Sequence, residues 1–427
     1  MTGDADCIKK LLNAMLLPQM RMGTGMMSNL SQHFSGVAAK YLSHVDATPK
    51  SNQHEIGSNA FARILGLPGA SKVPFQGTLL YLSDNDETPL RAQSLLTWYD
   101  TRLGNPSRAS EYRLYYQTNP VTQRMTAGDF CVVAVKPDNT LLLVITPAGS
   151  TAEHQIRWLF GIGELPKQGF DVKTVDARRE VHLIEATILE DLGLEIRRDD
   201  EQWLDLITQR YGESFPTTSE FSLFARETCP AHPHPLDDPD ETLLFWMEHE
   251  EMLFRTLERK IVQHQLDRGF DSVDHFVSFS LSVQNRRKSR VGYALEHHLA
   301  AVFNANYLQF GRQVVTEHKT TADFLFPGHA QYHDPAYPSH RLLMLASKSS
   351  CKDRWRQALA EAQRIRRKHL FTLEAGISEH QTNEMRAHEL QLVVPKMIHG
   401  AYLAGQQAWL MSLADLIREV KDRAAGS

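Results

Sequence analysis

Between about residue 75 and residue 165 the chain alternates short apolar runs with turn-forming residues. Four such runs, rich in aromatic and β-branched side chains, are FQGTLLYLS, EYRLYYQT, DFCVVAVKP and NTLLLVITP. Turn residues separate them, including Pro137 to Asn139 and Pro147 to Gly149. This pattern is typical of strands in an antiparallel arrangement. It predicts a mainly β region that closes with a helix around HQIRWLFGI.

The segments on either side of this region lack the strand pattern. Residues 1 to about 40 combine a short amphipathic helix, IKKLLNAMLL, with a stretch rich in Met, Gly and Ser that has no period. We therefore expect residues 1–165 to form an N-terminal domain in which residues 1–74 are a possible arm. Residues 166–205 are rich in charge and in helix-forming residues, which predicts a helical connector.

The remaining residues, 206–427, begin with helical patterns and continue with strand-like pieces that alternate with helices. The strand-like pieces are QVVTE, DFLFP, LLMLAS, KHLFTL and LQLVVP. Alternation of this kind is typical of an α/β sheet with helices on its faces. The sequence thus predicts a second domain of the α/β class, built on a mixed sheet flanked by helices.

Composition indicates where in the cell the protein is expected, but it does not indicate which activity the protein has. The 427 residues include 42% hydrophobic and 23% charged residues, with a formal charge of −5, which argues neither for nor against nucleic acid. No run reaches the ~18 apolar residues of a membrane helix, and the start, MTGDADCIKKLL, carries acids where a secretory signal carries bases. We expect a cytoplasmic protein with no membrane contact.

Cysteine spacing argues against a disulfide framework or a four-cysteine zinc site, because the four cysteines are scattered without a CxxC pair. The segment CPAHPHP, with Cys229, His232 and His234, is the alternative place for a metal. Its three prolines indicate an extended loop, and no second ligand pair lies at zinc-finger spacing. An ordinary loop is the favoured interpretation.

Acidic and basic residues accompany the predicted C-terminal strands. Asp323 lies in the strand DFLFP, Lys348 ends LLMLASK, and Glu361 lies in the helix that follows. Carboxylates hold Mg²⁺, which lowers the pKa of an attacking water, and a lysine can orient that water or offset phosphate charge. The set suits metal-assisted phosphodiester hydrolysis. By itself the spacing is a weak motif, and Glu361 alone is typical of a surface helix.

Longer segments make the similarity specific. From Phe276 to Val420 the chain contains, in order, SRVGYALEHHLAAVF, TTADFLFPGHAQYHDPAYP, LLMLASKSSCKDRWRQALAEA, KHLFTLEAGIS and LQLVVPKMIH. This region resembles the catalytic domain of the EcoRII-type restriction endonucleases, a branch of the PD-(D/E)XK nucleases in which the second acid lies on the helix after the lysine. That branch has an acid, about two dozen residues, a lysine, twelve residues and a glutamate; here twenty-four and twelve residues separate the three positions.

The resemblance assigns roles to five residues. It implies Mg²⁺ ligands at Asp323 and Glu361, a catalytic lysine at Lys348, a supporting acid at Glu296 and a tyrosine near the active site at Tyr332. Tyr332 could instead close a loop. One departure is that Ala322 stands where the family has a proline before the first acid.

Base recognition is expected directly after the catalytic lysine. In the resembling branch these residues enter the major groove, and they correspond here to Lys352, Asp353 and Arg354. Lysine and arginine suit guanine O6 and N7, and a carboxylate accepts from the cytosine amino group. The alternative is a solvated helix start with local ion pairs. The basic runs NRRKSR and RIRRK are further candidates for phosphate contacts, with ordinary surface as the alternative.

The family also implies a role for the N-terminal domain. Its members carry a β pseudobarrel of the type found in plant B3 transcription factors, which binds an additional copy of the target site as an effector. Glu111, Arg113 and Arg124 belong to the densest polar and basic set of this domain and are candidate DNA contacts. An exposed strand face with cross-strand ion pairs is the alternative interpretation.

Together these features predict a Mg²⁺-dependent type II restriction endonuclease. The expected partners are double-stranded DNA at a CCWGG-like target and at an effector site, a second copy of the chain in a homodimer, and a companion methyltransferase in the host. One alternative is a nuclease with the same core that recognises methylated or mismatched DNA. Another is a sequence-specific DNA-binding regulator whose nuclease core is silent.

Overall fold

Two β-sheets, each with helices packed on it, organise the chain. The computed structural model describes residues 29–47, 54–86, 88–105, 107–165, 170–174, 181–194, 196, 200–230, 232–351 and 355–426. One sheet has eight strands and the other has five. The predicted α/β class, with a mainly β unit before an α/β unit, is confirmed.

The first sheet has the strand order β2-β5-β4-β3-β7-β6-β1-β8. Its strands are β1 (Gly36–Tyr41), β2 (Glu55–Gly57), β3 (Val73–Tyr81), β4 (Leu90–Asp100), β5 (Tyr112–Tyr115), β6 (Phe130–Val135), β7 (Leu141–Thr146) and β8 (Phe170–Thr174). The accompanying helices are α1 (Leu30–His33), α2 (His44–Ala47), α3 (Ala62–Leu65), α4 (Pro120–Arg124), α5 (Thr151–Phe160) and α6 (Leu183–Asp191), with a 3₁₀ turn at Asn59–Phe61.

Alternating side chains bury both faces of this sheet. In β6, Phe130 and Val132 pack on the face covered by α5 and α6, whereas Cys131 and Val133 pack on the opposite face. Successive residues of a strand point to opposite faces, so an apolar run without polar interruptions, as in FCVVAV, predicts a strand buried on both sides.

The sheet curves into a half-closed barrel. Asp46, which is buried, accepts hydrogen bonds from the Lys40 ammonium (2.7 Å) and from the Ser43 and Gly57 amides (2.7 and 2.9 Å). The Lys40 ammonium also donates to the Gly57 carbonyl at 2.7 Å. Lys40 lies in β1 and Gly57 in β2, which are far apart in the strand order. These bonds therefore tie opposite sides of the curved sheet together.

Replacement of Asp46 by asparagine is expected to loosen this closure. The amide keeps the shape of the carboxylate but leaves the half-buried Lys40 ammonium without an anion, so we expect unfolding to become easier by about 2 kcal/mol. Urea denaturation followed by circular dichroism measures the change. Asp138→Asn, at an exposed turn where the carboxylate bonds only to Thr140, is the control; equal effects of the two substitutions would contradict the role of Asp46.

Two segments differ from their predicted roles. The possible arm, residues 1–74, contributes α1, β1 and β2 to the first unit over its described part, and residues 1–28 lie outside the described residues. The predicted connector, residues 166–205, is helical at α6 as expected, but β8 pairs with β1 and α6 packs against the first sheet. Pairing partners so distant in sequence are not visible in local periodicity, which explains both differences.

The second sheet has the order β13-β12-β11-β10-β9. Its strands are β9 (Gly311–Val315), β10 (Thr321–Phe326), β11 (Leu343–Lys348), β12 (Lys368–Thr372) and β13 (Leu390–Val393). The helices are α7 (Leu204–Tyr211), α8 (Thr218–Thr228), α9 (Pro239–Arg268), α10 (Val273–Ala305), α11 (His329–His333), α12 (Trp355–Ala360), α13 (Glu379–Ala387), α14 (Ala404–Gln407) and α15 (Leu413–Ala425), with 3₁₀ turns at Glu201–Trp203, Glu317–Lys319, Ser339–Arg341 and Lys396–Ala401.

Strand direction changes at β11. The strands β9, β10 and β11 are antiparallel neighbours, whereas β11, β12 and β13 run parallel. Phe303 of α10 packs edge-on against Phe324 and Phe326 of β10, with 5.2 Å between ring centroids in each pair. This contact fixes α10 over the antiparallel part of the sheet, where the predicted acid Asp323 lies.

Helix α5 of the first unit contacts the second unit beside β12. The Ser378 amide donates to the Thr151 hydroxyl, and the Gln155 side-chain amide donates to the Ala375 carbonyl, each at 3.0 Å.

The described part of the chain contains no helix with the length and apolar character needed to cross a membrane.

Candidate active site

Asp323 and Lys348 meet where two neighbouring strands place them. Asp323 lies in β10, Lys348 is the last residue of β11, and the register pairs Phe324 with Leu345. The Lys348 ammonium and the Ser347 backbone amide both donate to Asp323 Oδ2 at 2.8 Å. The structure thus brings together two predicted site residues that have twenty-four residues between them in the sequence, and Asp323 is 6% exposed.

Glu296 approaches the same carboxylate from helix α10. The side-chain amide nitrogen of Gln313, in β9, donates to Glu296 Oε2 at 2.9 Å and to Asp323 Oδ1 at 3.1 Å. Burial and the negative charge of Asp323 raise the pKa of Glu296, whereas the Gln313 hydrogen bond opposes that shift. Gln313 was not singled out from the sequence. Its position in QVVTE, the strand before DFLFP, was the available signal.

Glu361 follows helix α12 and is 8% exposed. Its Oε2 atom is buried and has no hydrogen-bond partner within the described part of the chain. Burial, reinforced by the charge of Asp323, raises the pKa of Glu361 to about 7, against the opposing charges of Lys348 and Lys368. The negative charge of Asp323 therefore acts on both Glu296 and Glu361.

This donor set fits a hard divalent cation. Carboxylate oxygens are preferred by Mg²⁺, which commonly binds through one or two protein carboxylates and retains several waters. Glu361 has an unpartnered buried oxygen, and a cation beside it would offset the cost of burying the charge. No cluster of three or more His, Cys, Asp or Glu side chains is arranged for metal binding in the described ranges, so the candidate set is the pair Asp323 and Glu361.

Comparison with known families finds similarity over the C-terminal half of the chain. Residues 254–417 match the family model described as EcoRII C terminal. The resemblance inferred from the sequence is confirmed over that segment. The chain is also 45% identical, over 184 residues, to the type II restriction enzyme EcoRII of Escherichia coli. That match covers 43% of this chain and 46% of EcoRII, so it spans less than half the length of the relative.

Solved structures give more distant matches. Metal-depleted Ecl18kI in complex with uncleaved DNA is 16% identical with a TM-score of 0.42, covering 53% of this chain and 84% of that chain. A complex of the restriction endonuclease PspGI with substrate DNA is 15% identical with a TM-score of 0.42, covering 52% and 96%. Overlap at this level does not by itself establish a shared fold.

Tyr332, inside the segment that matches the EcoRII C-terminal family model, forms side-chain hydrogen bonds with Glu317. Its hydroxyl donates to both carboxylate oxygens of Glu317, at 2.7 and 2.6 Å. Glu317 also accepts from the Gln363 amide at 3.1 Å. Burial, then this hydrogen bond, raises the pKa of Tyr332. The tyrosine therefore anchors the turn that follows Glu361, and its hydroxyl is directed to Glu317.

The predicted base contacts Lys352, Asp353 and Arg354 lie outside the described residues. The residues that flank them are anchored. The Cys351 amide donates to the Glu374 carboxylate, and Trp355, which begins α12, is 1% exposed. Ala322, where the family has a proline, is buried and pairs with Val314.

The candidate DNA contacts of the first unit form ion pairs. Arg113 pairs with Glu111 and lies 4.0 Å from Glu55 of the adjacent strand β2. Arg124 pairs with Asp86 at 2.7 Å and lies over the Tyr81 ring. Of these pairs, Arg113 with Glu55 joins two neighbouring strands, as the alternative interpretation expects, whereas Arg124 pairs from helix α4 to a loop residue. Both arginines are therefore paired with carboxylates in this structure. To contact DNA, they would have to leave these carboxylates and bind phosphates or bases instead.

Each of the two basic runs has exposed members, such as Arg286, Lys288 and Arg366, and members that bond within the fold. Arg290, at the end of NRRKSR, is 6% exposed and pairs with Glu250 at 3.0 Å, and Arg287 donates to Glu258 at 2.7 Å. In RIRRK, Arg364 donates to the Asp334 carbonyl at 2.8 Å and to other carbonyls of the loop after α11. Charge runs alone do not show which members fold inward.

Proposed function

We propose that this protein is a type II restriction endonuclease that hydrolyses phosphodiester bonds of double-stranded DNA at a short sequence, with Mg²⁺ as cofactor. The observation that carries the proposal is the Asp323–Lys348 ion pair at 2.8 Å, with the buried and unpartnered carboxylate of Glu361 beside it, inside the segment that matches the EcoRII C-terminal family. Similarity to the EcoRII enzyme supports the same activity, although it covers 43% of the chain.

The side chains divide the work of hydrolysis. The Lys348 ammonium, at the end of β11, would offset charge on the scissile phosphate or orient the attacking water. Asp323 and Glu361 would hold Mg²⁺, which when bound neutralises developing charge and lowers the pKa of water. Glu361, whose pKa is about 7, is ionised more readily beside a cation. Glu296 supports Asp323 through Gln313.

Recognition and assembly belong to the same proposal. A CCWGG-like target is supported by similarity to EcoRII, and Lys352, Asp353 and Arg354 carry the side chains for the outer C·G pairs. A homodimer supplies two active sites for two strands. The half-barrel unit, with Glu111, Arg113 and Arg124, would bind an effector copy of the site. A companion methyltransferase would protect host DNA, and the enzyme would act in the cytoplasm.

Digestion of defined plasmids tests this function. We expect plasmids with CCWGG sites to be cut in the presence of Mg²⁺ and not in EDTA, and sequencing of the ends identifies the site and the overhang. A one-site plasmid, with and without a short duplex carrying a second site, tests effector activation. Cleavage of methylated or mismatched DNA alone would favour the alternative nuclease, and sequence-specific binding without cleavage would favour the regulator.

The position of Tyr332 predicts a modest effect of its hydroxyl. Tyr332→Phe removes the bond to Glu317, which we expect to cost about 1 kcal/mol of stability and to slow cleavage by no more than about tenfold. Thermal unfolding and initial cleavage rates measure the two effects. Tyr293→Phe, at an exposed position of α10, is the control. A rate loss as large as that of an active-site substitution would instead place the hydroxyl in the reaction.

A further inference from the structure

Gln313 is the residue that links the two acids of the site. It lies in the middle of β9, and the pairs Phe324 with Arg312 and Ala322 with Val314 place it opposite Asp323. Its side-chain nitrogen carries two hydrogens, one directed to Glu296 at 2.9 Å and one to Asp323 at 3.1 Å. A helix and a strand that are distant in sequence are thereby joined through one amide.

The bonds to Asp323 come from two sides. Lys348 and the Ser347 amide hold Oδ2, and Gln313 holds Oδ1. The terminal torsion of an aspartate is soft, so donors on one oxygen alone leave the carboxylate free to rotate. With Gln313 in place, both oxygens are held and the plane of the carboxylate is defined.

The backbone at Gln313 departs from regular strand geometry. Its φ is +49°, in the left-handed region that residues other than glycine and asparagine rarely adopt. The neighbouring pairs keep their register on both sides, so the departure is local. A strained residue of this kind persists where the surrounding structure imposes it, and such residues concentrate at functional sites.

We propose that Gln313 is a positioning residue that sets the orientation of the Asp323 carboxylate and its spacing from Glu296. The inference rests on the proposed function, since the geometry it sets is that of the hydrolytic site. Gln313 acts by holding the two acids in place. Its unfavourable φ angle directs the side-chain amide so that it donates to both carboxylates. Removing the amide should therefore impair the reaction more than it impairs the fold or the binding of DNA.

Two substitutions separate these effects in the full-length protein. Gln313→Leu keeps the approximate size and removes both donors. Gln313→Asn keeps an amide and accommodates the positive φ better, but it is too short to reach both acids. For cleavage of a CCWGG plasmid with Mg²⁺, we expect kcat to fall about ten- to a hundredfold in both variants, with KM for DNA changed by less than about twofold. The thermal midpoint of Gln313→Asn should equal or exceed that of the wild type.

Gln263→Leu is the matched control, because Gln263 also donates to a carboxylate, that of Asp267 at 2.7 Å, on an exposed helix. It should cut like the wild type. Wild-type rates in Gln313→Leu, or a raised KM with unchanged kcat, would overturn the positioning role while leaving the nuclease intact. A lower thermal midpoint in Gln313→Asn would make the residue structural and overturn it too. A wild-type protein that does not cut overturns the proposed function itself.

Discussion

Replacing Lys348 by alanine is expected to slow plasmid cleavage by about a hundred- to a thousandfold while leaving duplex binding in EDTA nearly unchanged. The ammonium is 2.8 Å from Asp323 at the end of β11, where it meets the candidate metal ligands. In the proposed mechanism, its loss removes a positive charge that offsets the charge of the reacting phosphate. Initial rates measured with Mg²⁺, together with fluorescence anisotropy of a labelled duplex, test both parts of the prediction.

Two further variants sharpen this test. Lys396→Ala removes an exposed lysine of the same unit and should leave the rate unchanged. Lys348→Arg keeps the charge but replaces a compact ammonium by a planar guanidinium, so we expect little recovery. Cleavage by Lys348→Ala at a rate near that of the wild type would refute the assignment of the catalytic lysine, and with it the role of the Asp323–Lys348 pair.

Glu361→Gln is expected to abolish cleavage and yet to stabilise the metal-free protein. The pKa of Glu361 is raised from 4.5 to about 7. Stability is therefore highest when the carboxyl is protonated, below pH 4.5, and falls as the pH rises through 7. Glutamine lacks that charge, so at pH 8 in EDTA the variant should gain up to about 3 kcal/mol over the wild type.

Urea denaturation at pH 4.5 and at pH 8 measures this difference. The gain should be small at the lower pH and large at the higher one. Glu384→Gln, at an exposed position paired with Arg356, should change stability little at either pH, because surface ion pairs contribute little. If Glu361→Gln instead lowers stability at pH 8, the Glu361 carboxylate has a stabilising partner in the metal-free protein. That result would contradict its proposed role as a metal ligand.

Much of the site followed from local pattern. The runs DFLFP and LLMLASK were predicted as strands, and the structure has strands there that bring Asp323 and Lys348 into contact. The uninterrupted apolar run FCVVAV likewise matched a strand with two buried faces. These features could be predicted because strand periodicity, and the number of residues between an acid and a lysine, can be read directly along the sequence.

Other features depended on partners far away in sequence. The arginine runs looked alike, yet Arg290 pairs with Glu250 and Arg364 binds loop carbonyls. The predicted connector supplied a strand to the first sheet because β8 finds β1 across more than a hundred residues. The periodicity within these segments does not show which distant residues they contact. Those contacts depend on how the elements pack and on which buried charges must be neutralised.

By itself, the sequence determined the α/β class, the strand-borne pair Asp323 and Lys348, and the acid Glu361 thirteen residues beyond the lysine. Only the tertiary structure decided that Glu361 is buried without a partner, that Tyr332 bonds to Glu317, and that Gln313 joins Asp323 to Glu296. The reason is physical. Periodicity specifies which face of an element is apolar, whereas burial, pKa and hydrogen-bond partners arise when separate elements meet and exclude water.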